Sequence, residues 1–104
     1  MRIVLACLLF AAAAPTVASS PAAWAENERA GRAACLRASG LRAARVLPNR
    51  VGFPDGSGVD AMLVRGAWPQ RHMKGAKGTM LCLYTRATRQ AVAQEAKGWS
   101  AVVP

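Results

Sequence analysis

The sequence predicts an α+β fold: one N-terminal helix packed on a three- to four-stranded antiparallel sheet, stapled by one disulfide. Three observations carry this. A segment with helical periodicity ends at Gly40, several later apolar segments carry turn signals between them, and two cysteines, Cys35 and Cys82, fall one in the helical segment and one in an apolar run.

The first 25 residues read as a bacterial-type signal peptide rather than as part of the domain. Arg2 is followed by an apolar run over residues 3–14 that Pro15 breaks, too short for a transmembrane helix, which needs roughly 20 apolar residues. Ala23 and Ala25 are small residues at the positions a signal peptidase accepts, which places the expected cut between Ala25 and Glu26. Thr16-Val17-Ala18 offers a second, earlier cut. The expected organisation is thus a cleaved leader, residues 1–25, and a single small secreted domain, residues 26–104, exported to the periplasm or outside the cell with no transmembrane span after processing.

Each element follows from local sequence. The helix is expected from Asn27 as N-cap to Gly40 as stop, with Ala30, Ala34, Cys35, Ala38 and Leu41 inward and Leu36 among the charges of Glu28, Arg29, Arg32 and Arg37. A brief helical continuation to Ala44 is allowed. Pro48 then restricts residues 45–53 to an edge strand or an extended segment. Residues 54–58 form a turn, residues 59–65 a strand closed by Gly66, and residues 79–85 a central strand with Met80, Cys82 and Tyr84 on one face. After a polar turn at 85–89, residues 90–96 read as a returning strand by hairpin context, although their alanines and glutamines suit a helix equally well on propensity. A short apolar tail follows Gly98.

A domain this small buries only about 60% of its unfolded surface and needs added stabilisation. In an oxidising compartment the Cys35–Cys82 pair supplies it. Closing a loop of about 48 residues contributes about 4 kcal/mol in the chain-entropy model.

The formal net charge is +9, and only Arg2 leaves with the leader. Such a field attracts anionic surfaces without naming one. Export removes cytoplasmic nucleic acid from the expected partners and leaves acidic proteins and envelope polymers. The connection at 66–78 concentrates the features of a binding loop: Trp68, Arg71, His72, Lys74 and Lys77 combine an aromatic ring with positive charge, the mix that clamps anions or stacks on a sugar or base. Packing of Trp68 at the edge of the core is the competing reading.

No catalytic residue set, metal site or cofactor is expected. Asp60 and Glu95 lie on different strands without a second acid nearby, His72 has no evident partner, and Met62 and Met80 suit core packing better than metal ligation. The expected function is a non-enzymatic cell-envelope module that binds an anionic partner, an acidic protein or an envelope polymer, through the basic loop. A secreted enzyme inhibitor using the same loop and a cationic membrane-active effector are the alternatives, the second disfavoured by an alanine-rich helix that has little to insert into a bilayer.

Overall fold

The computed structural model describes residues 20–48 and 51–99. Helix α1 (Pro21–Ser39) is followed by β1 (Arg42–Val46), β2 (Val51–Gly52), β3 (Val59–Ala67), β4 (Lys77–Thr85) and β5 (Gln90–Glu95), with single 3-10 turns at Asp55–Ser57 and Arg71–Met73. The helix packs on one face of an antiparallel sheet ordered β1-β3-β4-β5, and β2 pairs with β3 on the same edge as β1. The fold is therefore α+β, as the sequence predicts.

The helix starts earlier than its expected Asn27 cap. Ser20 Oγ accepts a hydrogen bond from the Ala23 amide at 3.1 Å, and Pro21 occupies the first turn, where it needs no amide partner. The small residues over 20–25 suit the tail of a leader equally well, so local sequence does not single out this cap. Asn27 lies inside the helix, where its Nδ2 donates to Asp60 Oδ2 of β3 at 3.1 Å. The far end is as expected: Gly40 adopts φ 66°, a conformation that favours glycine, and donates its N–H to the Arg37 carbonyl.

The chain does not continue as helix to Ala44; it reverses into β1. A bulge lies between Arg42 and Arg45, with Ala43 at φ 48°. Pro48 falls between β1 and β2, so the edge of the sheet is interrupted there. Strand β3 runs through Gly66 to Ala67, and β4 begins at Lys77, two residues before the expected start. Residues 90–95 form a strand. Pairing Leu83↔Val92 and Tyr84↔Ala91 satisfies their backbone groups and overrides their helical propensity.

The core lies between α1 and the sheet. Met62, Val64, Cys82 and Tyr84 from β3 and β4 meet Ala34 and Cys35 of the helix, and the even-numbered residues of both strands supply this layer. The Cys35–Cys82 disulfide, Cα–Cα 5.8 Å, runs through its centre. Leu36 packs partly against this cluster rather than among the surface charges, and Ala38 is exposed; the lost apolar position is taken by Ser39, which is buried and donates to the Leu36 carbonyl at 2.8 Å. Gly31 is also buried. A Cβ there would lie 3.0 Å from the Tyr84 ring, so the glycine lets the helix settle on the tyrosine face.

Candidate functional site

The β3–β4 hairpin carries the predicted loop. Its strands stay in register from Val59↔Thr85 to Ala67↔Lys77, and the connection at 68–76 is a folded tip rather than an open loop. The Trp68 amide donates to the Ala76 carbonyl at 2.9 Å, Ala76 donates to Met73, Met73 donates to Gln70, and Lys74 turns the chain at φ 51°.

The five predicted binding residues separate into three positions. Trp68 is half-buried, and its indole occupies the space where a Gly78 side chain would stand: a Cβ on Gly78 would be 2.7 Å from Cζ2. Gly78 shares its parity with Met80 and Cys82, so Trp68 caps the helix-side layer of the sheet. Gly66, its cross-strand partner, is crossed in the same way by Leu41 and the Arg42 backbone. The two glycines face each other because main chain passes over one and an indole over the other. Arg71, His72 and Lys74 are exposed at the tip. Lys77 is exposed where β4 begins, on the sheet face opposite the helix. Trp68 and the tip cations therefore sit close along the chain, but the ring itself is committed to packing.

The electrostatics of the hairpin are one-sided. Between Asp60 and Glu95 the sequence contains no carboxylate, while Arg65, Arg71, Lys74, Lys77, Arg86 and Arg89 all fall in that interval. Of these, Arg86 is paired with Asp60 at 2.8 Å; on the helix, Arg29 pairs with Glu26, and Arg32 with Glu28 at 3.5 Å. Arg71, Lys74 and Lys77 thus stand in a stretch of sequence with no carboxylate of its own.

One polar cluster escaped sequence reasoning. Asp60, on the core-facing parity of β3, is buried and accepts from Arg86 Nη1 at 2.8 Å and from Asn27 at 3.1 Å, while the Trp24 ring lies 5.9 Å from the Arg86 guanidinium carbon. A signal was present: a carboxylate two residues before the buried Met62 must either find a cation or stay unpaired. Beside this cluster, a cleft of about 260 Å³ opens between Glu26 and Asn27 of α1 and Tyr84, Arg86 and Arg89. It is smaller than the pockets that usually hold drug-sized ligands. Among the described residues no three His, Cys, Asp or Glu side chains converge; Met62 and partly buried Met80 pack in the core, away from the exposed His72.

Comparison with protein-family models, with curated proteins and with solved structures finds no match to this chain.

Proposed function

We propose that this protein is an exported, non-enzymatic module of the cell envelope that binds an anionic partner, an acidic protein or an envelope polymer, through the tip of the β3–β4 hairpin. The observation that carries the reading is the carboxylate-free interval with Arg71, His72 and Lys74 exposed at its turn and Lys77 beside it. A hairpin whose tip is folded by its own backbone hydrogen bonds presents these cations with little loss of conformational freedom on binding, and its one carboxylate, Asp60, is already paired with Arg86.

Export is supported by the apolar leader and by a disulfide that an oxidising compartment would maintain. No helix among the described residues is long and apolar enough to cross a membrane. The extent of α1 favours the earlier of the two cut points. Cleavage after Ala18 keeps the Ser20 cap and the Trp24 contact, whereas cleavage after Ala25 removes both and costs about 1 kcal/mol for the cap alone.

Binding to an immobilised polyanion tests the tip directly. Neutralising Arg71, Lys74 and Lys77 together, each to Gln, should lower the salt concentration needed for elution well below that of the wild type. The triple replacement of Arg29, Arg32 and Arg37 on the helix removes equal charge and should have a smaller effect. Equal shifts from the two triple variants would mean that net charge alone, and not the hairpin, governs binding.

A further inference from the structure

Among the described residues, five strands with a helix on one face leave the other face without a covering element. In β3 that face carries Val59, Ala61, Leu63, Arg65 and Ala67; in β4, Lys77, Thr79, Leu81, Leu83 and Thr85; in β5, Gln90, Val92 and Gln94; Arg45 and Val51 complete it from the edge. None of the residues in the helix-side cluster belongs to it. It is apolar over its middle, in the row Val51, Ala61, Leu83 and Val92, where Val92 is 66%, Val51 57% and Leu83 38% exposed and Ala61 is buried; half-buried Leu63 and Leu81 adjoin that row, and Thr85 and Gln90 stand at the far end.

Its hairpin end is cationic. Arg45 and Arg65 are direct cross-strand partners on this face, an arrangement of like charges that costs stability unless an anion lies between them. Arg65 is held in place by its Nη1 donating to Thr79 Oγ1 at 2.9 Å, and Lys77 stands two residues along β4 from that threonine. The strand residues of the face include no carboxylate at all.

We propose that this open face docks on an anionic lipid surface, with Arg45, Arg65 and Lys77 on headgroup phosphates and Leu81, Leu83 and Val92 against acyl chains. The inference rests on the reading of an anionic partner and assigns it a second surface. Charge complementarity selects the occupant. A second copy of the chain would bring the same apolar patch but no carboxylate for the arginines, so a face-to-face dimer leaves them unpaired. An acidic protein would satisfy the cations while gaining little from a row of leucine and valine. A phosphate-headed lipid layer answers both halves of the face, and long arginine side chains can keep their charge at headgroup level while the stems lie along apolar surface. The sheet supplies the insertion that the alanine-rich helix does not.

The test is co-sedimentation with vesicles of phosphatidylglycerol and of phosphatidylcholine, using wild type and variants in the form the cell accumulates, matched by intact mass. Wild type should bind phosphatidylglycerol vesicles at least tenfold more tightly than phosphatidylcholine. The pair Leu83→Ser with Val92→Ser, and separately Arg45→Gln with Arg65→Gln, should each lose most of that binding, with unchanged circular dichroism. A Val92→Trp variant should show a blue-shifted emission on phosphatidylglycerol vesicles that brominated acyl chains quench beyond the wild-type level. Unchanged binding in both double variants, or no spectral change at position 92, overturns the proposal. Loss of vesicle binding only in the Arg71, Lys74 and Lys77 variant would also overturn it while leaving the tip reading intact. A stable dimer blocked by the Leu83 and Val92 changes would assign the face to a second copy instead.

Discussion

Replacing both cysteines, Cys35→Ala with Cys82→Ala, should lower the melting temperature by about 15–30 °C. The bridge joins residues 47 apart, and releasing that loop restores about 4 kcal/mol of unfolded-state entropy. In a domain of under 100 residues each kcal/mol moves the melting point by about 4–8 °C. Both cysteines are fully buried in the layer that, among the described residues, joins helix to sheet, so their loss falls on the core itself. Thermal unfolding followed by circular dichroism, with and without reductant, checks this. A reduced protein that melts within a few degrees of the oxidised one would show that packing against Tyr84 and Met62 suffices.

The second large effect belongs to the Asp60 cluster. Arg86→Met keeps an apolar stem beside Trp24 but leaves Asp60, whose side chain is 9% exposed, with Asn27 as a remaining neutral donor. Stranding a buried carboxylate in this way costs about 3 kcal/mol, the low end for a broken buried pair because the site retains a hydrogen bond. Asp60→Leu should cost less, since Arg86 is 18% exposed and can turn toward water. The double variant, Asp60→Leu with Arg86→Met, should recover more than half of the Arg86→Met loss, because the uncompensated charge is gone. Denaturant unfolding of the four proteins gives the cycle; additive losses would mean that the two side chains act independently.

These two predictions also show which parts of the fold were legible in the sequence. The disulfide was, because reading residues 1–25 as a leader leaves Cys35 and Cys82 with only one pairing available. The strands β3 and β4 were, since turn residues bound each of them and the parity of Met80, Cys82 and Tyr84 fixes the core face, whereas β5 rested on hairpin context alone because its alanines and glutamines suit a helix equally well. The start of α1 was not. Ser20 and Pro21 are a good cap and first turn, but the same small residues serve a leader, and local sequence cannot separate the two uses. The reversal after Gly40 was hidden as well, because Ala43 and Ala44 favour helix and only pairing with β3 decides otherwise.

The candidate site was legible in part. The tip cations stand where a long basic connection suggested, but Trp68 turns to the helix side to cover Gly78, a contact that depends on the register of two strands. The open face could not be read from any one segment. Leu83, Val92, Arg45 and Arg65 are far apart in the chain and become one surface only after four strands align.

The proposed export underlies the reading of the disulfide and the choice of partners, and one measurement reaches it directly: the intact mass of the protein that cells accumulate, taken under non-reducing conditions. The expected mass is that of a chain beginning at Ser19, or at Glu26 if the later cut is used, lowered by the two hydrogens lost in joining Cys35 to Cys82. A mass that retains Met1 with all thiols free would contradict export, the oxidised staple and the envelope setting together.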